Sequence, residues 1–206
     1  MKLIKFILLC SLLLIGCSAS NTTSFIGVVN NENFASFDDV DYTFSFSKLE
    51  SKELLKIINE NYYSHNRNVN VSKLIKNTDK LLLSCGLYDL FKNVSLIDGN
   101  LSLKNDTSLI EVFELNLFEI VNSLFEYNSK ISIYLFSLYN PYYEKESTFY
   151  NAVDSLVDAF NSVIQNVCLQ NELKYVDISF LDDYLISFNS FSNQGEKLLI
   201  ELIRNI

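Results

Sequence analysis

The 206-residue sequence contains one histidine, one proline, no tryptophan and four cysteines. With one histidine and no cysteine–histidine cluster, it cannot supply the closely spaced ligands that most zinc sites need. Positive charge is also scarce, because 16 basic residues face 25 acidic ones and the formal charge is −9. Clustered lysine and arginine are needed against phosphates, so we expect no binding of nucleic acid. We also expect no metal or other cofactor.

The first 17 residues are the clearest signal in the sequence. Lys2 and Lys5 precede an apolar run over residues 6–15, and Gly16 and Cys17 follow. This is the layout of a secretory signal, and the run is shorter than the roughly 20 residues that span a bilayer. Residues 14–17 resemble a bacterial lipobox, whose cysteine is acylated and becomes the mature N-terminus. The alternative is an ordinary signal peptide that contains a cysteine.

This resemblance implies three segments. Residues 1–16 are a lipoprotein signal peptide, residues 17–24 are the lipidated Cys17 and a polar tether, and residues 25–206 are a single domain. Residues 1–16 contain two lysines and no acid, so 14 basic and 25 acidic residues remain and the net charge becomes −11. The mature chain has no basic patch for a membrane, so the expected attachment is the lipid itself, on the outer face of the bacterial cytoplasmic membrane.

Removal of the leader and lipidation account for two of the four cysteines. Cys10 lies in the leader and Cys17 would carry the lipid. Cys85 and Cys168 each end an apolar run, which favours two small buried hydrophobic residues over a disulfide bridge.

Apolar runs and helical stripes alternate along the rest of the chain. Short apolar runs predict strands, and apolar residues at three- to four-residue spacing predict helices. Such alternation indicates a parallel sheet covered on both faces, and ligands of these folds bind at the carboxyl ends of the strands. The predicted strands are 25–29, 80–85, 131–138 and 175–179, and the predicted helices are 48–59, 108–127, 149–168 and 193–206.

Residues 79–206 resemble the SGNH, or GDSL-type, hydrolases. TDKLLLSCGLYDLF (residues 78–91) looks like the third block of that family, ordinarily Gly-x-Asn-Asp after a strand, with Gly86 and Asp89 fitting. IYLFSLYNPYY (133–143) looks like the next strand and its Asn-Pro turn, and Asn151 follows at a position where many relatives have asparagine. SNQGEKLLIELI (192–203) looks like the terminal helix. The resemblance implies a three-layer α/β/α sandwich with a parallel, flavodoxin-like sheet.

The family's catalytic residues do not carry over. Members use a serine after the first strand, oxyanion donors from a glycine and an asparagine, and an Asp-x-x-His pair before the last helix. Asn30 and Asn31 stand about where Gly-Asp-Ser would be, and the glycine of the second block is replaced in YYSHNRN (residues 62–68). Tyr88 occupies the asparagine position, and Ser187 and Ser190 stand at the aspartate and histidine positions. No histidine follows His65.

The positions after successive parallel strands should converge on one edge of the sheet. We expect a neutral, aromatic-rich cleft there, suited to a glycan or a peptide. Tyr88 and the tyrosines of residues 139–143 either line this cleft or cover the sheet edge, Gly86 is equally explained by a tight turn, and Asn140 begins a turn at Pro141. The candidate cleft residues are Asn30, Asn31, Gly86, Tyr88, Asp89, Asn140 and Ser190.

Three functions remain open at this point. The first is a lipid-anchored, SGNH-like module that has lost catalysis and binds or scaffolds. The second is an ester or acyl hydrolase with a rearranged site, in which Ser64 or Ser190 acts with His65. The third is a structural lipoprotein of another α/β family.

Overall fold

The computed structural model describes residues 22–28, 40–46, 48–64, 69–92, 94–97, 100–103, 107–142, 148–187 and 190–206. A parallel sheet of five strands forms the centre of the described part. The sheet strands are β1 (Thr23–Val28), β2 (Tyr42–Phe46), β3 (Lys80–Ser84), β4 (Ser132–Phe136) and β5 (Lys174–Val176). Their spatial order is β2-β1-β3-β4-β5.

Helices cover both faces of this sheet. They are α1 (Ser51–Asn59), α2 (Val71–Lys76), α3 (Leu87–Phe91), α4 (Thr107–Tyr127), α5 (Thr148–Gln170) and α6 (Asn193–Arg204). Leu81 and Leu83 of β3 face a core shared with α1, α2, α4 and α5. Leu82 points the other way, into a core shared with α6 through Leu199. Residues of one strand alternate between faces, so this apolar run fills both cores. The fold is a three-layer α/β/α sandwich.

Local sequence explains where several of these elements begin. Ser192 precedes α6, and its Oγ accepts a hydrogen bond of 3.3 Å from the backbone N–H of Gly195. Asn70 does the same for α2, with a 3.1 Å bond from the N–H of Lys73. Ser/Asn side chains at this position satisfy helix N–H groups that have no partner within the helix.

The predicted strands and helices are all present, with boundaries shifted by a few residues. β1 begins at Thr23, so the last two residues assigned to the tether belong to the domain. Ser24 is fully buried, and its hydroxyl lies 2.6 Å from that of Thr78. The edge strand β2 and the short helices α2 and α3 were not predicted from the sequence.

Three short antiparallel pairs and a 3₁₀ helix complete the described elements. Tyr63–Ser64 pairs with Val69–Asn70, Val94–Ile97 pairs with Asn100–Leu103, and Leu185–Ser187 pairs with Ser190–Phe191. The 3₁₀ helix is Ser179–Tyr184. Among the described residues, no helix is long and apolar enough to cross a membrane.

Candidate functional site

The strand order places the candidate site between β1 and β3. The chain leaves β1 towards β2 on one side, and β3 adds on the other side. Ligands of open α/β sheets bind at such a switch point, at the carboxyl ends of the strands. Residues 85–89, which follow β3, therefore lie beside the candidate site, and Tyr88 is the one among them that is partly exposed. Asn30 and Asn31, which were also expected in this cleft, lie outside the described residues.

Gly27 holds the two central strands close together at this edge. It pairs with Ser84 of β3, and a Cβ atom on Gly27 would lie only 2.2 Å from the backbone carbonyl oxygen of Ser84. Only glycine fits this approach. Gly27 was not among the predicted site residues, although a glycine inside an apolar strand is a known sign of close backbone contact.

Gly86 forms the turn from β3 into α3. Its φ is +108°, in the left-handed region, and a Cβ here would lie 2.9 Å from two ring carbons of Phe113. Both facts require glycine for the fold itself. The turn expected at Gly86 is therefore present.

Tyr88 follows on α3 and packs partly against the first core. Its ring meets the ring of Phe91 edge-on, with 5.5 Å between the centroids. Burial raises the pKa of Tyr88, so the phenol stays protonated near neutral pH. Tyr88 thus presents a neutral, partly exposed aromatic surface at the end of β3.

Asp89 is buried in a contact between helices and does not open onto a cleft. Its carboxylate accepts a 2.8 Å hydrogen bond from the backbone N–H of Ser51 and a 2.5 Å bond from the Ser51 hydroxyl. Asn116 of α4 donates a 3.0 Å bond to the same hydroxyl oxygen. Asp89 is 7 % exposed, and burial, the main cause, raises its pKa. The carboxylate therefore ties α3 to the start of α1, where the helix dipole favours negative charge.

An ion pair supports the same junction from outside. The ammonium group of Lys92, just after α3, contacts the Glu50 carboxylate, just before α1. Both side chains are partly exposed, so this pair contributes at most about 1 kcal/mol.

Asn140, expected in the cleft, is instead buried within the loop that follows β4. Its Nδ2 donates to the backbone carbonyl of Tyr150 at 3.1 Å, and its Oδ1 accepts from the N–H of Tyr142 at 3.2 Å. Asn140 is 2 % exposed. It thereby fixes the Asn-Pro turn to the start of α5, as expected of a turn residue.

The neighbouring tyrosines cover the sheet edge. The ring of Tyr139 contacts Phe191 at 5.1 Å between centroids, and Tyr142 contacts Phe149 at 4.8 Å. Tyr139 is buried and Tyr142 half-buried. These tyrosines were predicted either to line a cleft or to cover the sheet edge, and the structure favours the covering role for Tyr139 and Tyr142.

One acid in the segment before α6 is bound to a tyrosine of α5. The Tyr150 hydroxyl donates a short hydrogen bond to Oδ2 of Asp182 in the 3₁₀ helix. Burial and this carboxylate raise the pKa of Tyr150 far above its usual range, so Tyr150 is a poor base or nucleophile. Ser187 and Ser190 are partners in the antiparallel pair that follows.

Several sequence expectations fall outside what the structure describes. They include Cys17, His65 and the side chains of Ser64, Ser187 and Ser190. Cys85 and Cys168 are described and are free and buried, as predicted. No cluster of three or more histidine, cysteine, aspartate or glutamate side chains suited to a metal occurs among the described residues.

Comparisons with known proteins find similar structures but no similar sequence family. The sequence matches no protein-family model and no curated protein. Solved structures do match. A lipase, Lip_vut3, from a goat rumen metagenome superposes with a TM-score of 0.64 at 16 % identity, over 90 % of this chain and 97 % of the lipase.

Two further structures agree with the first. An acetyl xylan esterase, AlAXEase, gives a TM-score of 0.62 at 11 % identity, over 89 % of this chain and 98 % of the esterase. A GDSL-like lipase from Bacteroides thetaiotaomicron gives 0.58 at 15 % identity, over 90 % of this chain and 86 % of the lipase. The chain has an SGNH-hydrolase-like fold.

The SGNH-like fold confirms the resemblance drawn from residues 78–91, 133–143 and 192–203. The superpositions cover about nine tenths of the chain, which is more than the residues 79–206 on which the resemblance was based. At these identities the likeness concerns the fold alone.

Proposed function

We propose that this chain is a lipid-anchored, extracytoplasmic module with an SGNH-like fold that binds or scaffolds and does not hydrolyse esters. One observation carries the proposal: the strand-end positions that hold catalytic groups in SGNH hydrolases hold side chains without that chemistry. Two of the polar side chains expected there, Asp89 and Asn140, are buried in contacts that stabilise the fold.

The position of the catalytic serine supports this proposal. The family's Gly-Asp-Ser block can be aligned with this sequence in two ways, and neither gives a serine. If Gly-Asp-Ser lies after the strand, Asn30 and Asn31 stand there. If Gly27 is the block's glycine, which its contact with Ser84 favours, then Val28 and Val29 stand at the aspartate and serine positions. Residues 27–33 contain no serine. Neither valine nor asparagine can form an acyl-enzyme by the serine route.

The position of the family's oxyanion-stabilising asparagine also supports the loss of catalysis. Tyr88 stands where the family has asparagine, and its ring packs against Phe91 and the core. Removal of one oxyanion donor costs about 10²–10³ in rate. Asp89, beside it, is already bonded to Ser51.

The base position is also changed. Ser190 and Ser187 stand at the histidine and aspartate positions, and the only histidine in the sequence is His65. A serine hydroxyl cannot act as the general base that activates another serine at neutral pH. Loss of the triad costs about 10⁶ in rate in a serine protease.

A second candidate is an ester hydrolase with a relocated site. The observation that favours it is that the similar structures are an acetyl xylan esterase and lipases. Here Ser64 or Ser190 would be the nucleophile and His65 the base. The third reading, a structural lipoprotein of another α/β family, is disfavoured by the SGNH-like fold.

The proposed ligand is a glycan or a peptide. Tyr88 offers a flat, neutral aromatic surface at the switch point, and such surfaces bind sugars and peptides through stacking and hydrogen bonds. The net charge of −9, or −11 after loss of the leader, disfavours an anionic ligand. The lipid on Cys17 would hold this surface at the outer face of the cytoplasmic membrane.

Hydrolysis of short p-nitrophenyl esters separates the two main candidates. We expect the purified protein to show no turnover above that of its own heat-denatured sample. Activity that disappears in Ser64→Ala or Ser190→Ala, with the circular dichroism spectrum unchanged, would contradict the proposal and establish the second candidate. An active SGNH esterase serves as the positive control.

Glycan and peptide arrays test the ligand. We expect any ligand found to bind more weakly to Tyr88→Ala than to the wild type, with Tyr88→Phe in between or unchanged because it keeps the ring. Ligands that bind all three proteins equally would place the binding surface elsewhere.

A further inference from the structure

The helix α4 has two apolar faces, although it needs only one for the core. Phe113, Leu117 and Ile120 are completely buried on the first face. On the opposite side Val112, Leu115 and Phe118 are 46 %, 67 % and 38 % exposed. Residues three apart on a helix are neighbours, so these three side chains form one continuous stripe. We call Val112, Leu115 and Phe118 the outer stripe.

The charged residues of α4 itself all have the same sign. Glu111, Glu114, Glu119 and Glu126 are exposed on α4, and residues 107–127 contain no lysine or arginine. No ion pair joins any of these glutamates to another described residue. The outer face of α4 is thus apolar along its middle and negative along its borders.

Such a face is unusual for a helix on the surface of a soluble domain. Surface helices ordinarily place polar and charged residues opposite the core. Contiguous exposed apolar residues with a polar rim mark interaction sites. The exposed Leu169 on α5, at 79 % exposure, shows the contrast, because no other large exposed hydrophobic residue of the described part lies within a turn of it.

We propose that the outer face of α4 docks a cationic amphipathic segment of a partner protein, in which apolar residues cover the outer stripe and lysines or arginines face the glutamates. A helix of the partner would present both groups at the spacing of α4 itself. Complementary charge would speed the encounter and exclude wrong partners.

The same charges disfavour the other occupants of this face. A second copy would bring identical glutamates against these glutamates, and both copies carry a net negative charge. An anionic lipid surface would be repelled as well. A cationic partner is the occupant that this surface complements.

This inference does not depend on whether the chain is an enzyme. The outer stripe points away from the sheet, on the side of α4 opposite the core residues, whereas the candidate site lies at the strand ends. An ester hydrolase activity would leave the inference unaffected.

The test uses the full chain in non-ionic detergent and a fluorescent helical peptide of leucine and lysine in amphipathic order. A matched peptide with glutamate in place of lysine is the charge-inverted probe, and detergent alone gives the baseline. We expect the cationic peptide to bind and the inverted peptide not to bind. We also expect the affinity of the cationic peptide to fall as salt is raised.

Variants locate the binding surface. Leu115→Ser should weaken the cationic peptide about tenfold or more, because a covered leucine contributes that much to affinity. Leu169→Ser removes a leucine elsewhere that is even more exposed than Leu115, and it should leave the affinity unchanged. Glu111→Gln with Glu114→Gln should weaken binding and flatten its dependence on salt.

Four results would overturn the proposal. The first is that the cationic and the charge-inverted peptide bind equally well. The second is that Leu115→Ser leaves the affinity for the cationic peptide unchanged. Self-association in sedimentation that Leu115→Ser abolishes would assign the face to a second copy. Binding of the Cys17→Ala protein to phosphatidylcholine vesicles that Leu115→Ser abolishes would assign it to lipid.

Discussion

Replacement of Asp89 by alanine tests whether this residue belongs to the fold or to a cleft. The structure gives its carboxylate two hydrogen bonds from Ser51, of 2.8 Å to the N–H and 2.5 Å to the hydroxyl. Asp89→Ala would leave both donors without their acceptor at the buried start of α1. If Asp89 instead lined an open cleft, its loss would leave stability nearly unchanged.

The magnitude follows from these contacts. Hydrogen bonds to a charged group contribute roughly 1.5–3 kcal/mol each. Part of that gain is offset because a buried carboxylate loses its hydration. We therefore expect Asp89→Ala to lower the free energy of unfolding by about 2–4 kcal/mol. For a domain of this size each kcal/mol lowers Tm by about 2–4 °C, so the expected fall is about 5–15 °C.

Chemical denaturation followed by circular dichroism measures this loss. Asp158→Ala, at an exposed position of α5, is the matched control and should stay within about 0.5 kcal/mol of the wild type. Ser51→Ala should show part of the loss seen in Asp89→Ala, since it removes one of the two bonds. An Asp89→Ala protein as stable as the Asp158→Ala control would refute the reasoning.

Asp89 also gives the stability a defined dependence on pH. Burial raises its pKa in the folded state above the ordinary value of 3.8. The folded protein therefore holds this proton more tightly than the unfolded chain does. The part of the stability that comes from binding this proton is complete below the unfolded pKa and is lost as pH rises through the folded pKa. Chemical denaturation at a series of pH values measures this loss as a fall in the free energy of unfolding. In Asp89→Asn, whose side chain cannot ionise, this fall should be absent.

Three further outcomes are expected. Gly27→Ala should lower the free energy of unfolding by about 2 kcal/mol or more, because its Cβ would lie 2.2 Å from the Ser84 carbonyl oxygen. The same chemical denaturation measures this, and an unchanged denaturation midpoint would mean that β1 and β3 lie further apart. Thiol counting under non-reducing conditions should find two free thiols in denaturant and a very slow reaction in the native protein. The reason is that burial raises the pKa of Cys168 to about 11 and that of Cys85 further. Recovery of a Cys85–Cys168 linked peptide would contradict this. Mass spectrometry of the native protein should show an acylated N-terminal Cys17, and a Cys17→Ala variant that stays equally membrane-bound would contradict the lipid anchor.

The sequence predicts the core of the fold well because burial leaves a strong local pattern. Residues 81–83 of β3 and 133–136 of β4 form continuous apolar runs, as is typical of strands buried on both faces. β2 was missed because Tyr42–Phe46 alternates aromatic and hydroxyl side chains over only five residues. That strand also lies at the edge of the sheet, where no long apolar run is needed.

The sequence predicts where a candidate site would lie but not what its side chains contact. Residues 86–89 were predicted to follow a strand, and in the structure they follow β3. What Asp89 and Asn140 contact could not be read from spacing, because the partner of Asp89, Ser51, lies 38 residues away. Gly27 had a visible signal, a glycine within an apolar strand, but its partner Ser84 becomes apparent only from the register of β1 and β3.

Covalent labelling with a fluorophosphonate tests the central claim, that the SGNH-like fold of this chain has no activated serine. The reagent phosphonylates a serine that a neighbouring base activates, with loss of fluoride, and leaves ordinary serines unmodified. We predict that intact-mass measurement finds no adduct on the native protein beyond that on the denatured protein, while an active SGNH esterase is labelled completely. Stoichiometric labelling of the native protein at one serine, abolished when that serine is changed to alanine, would contradict the account.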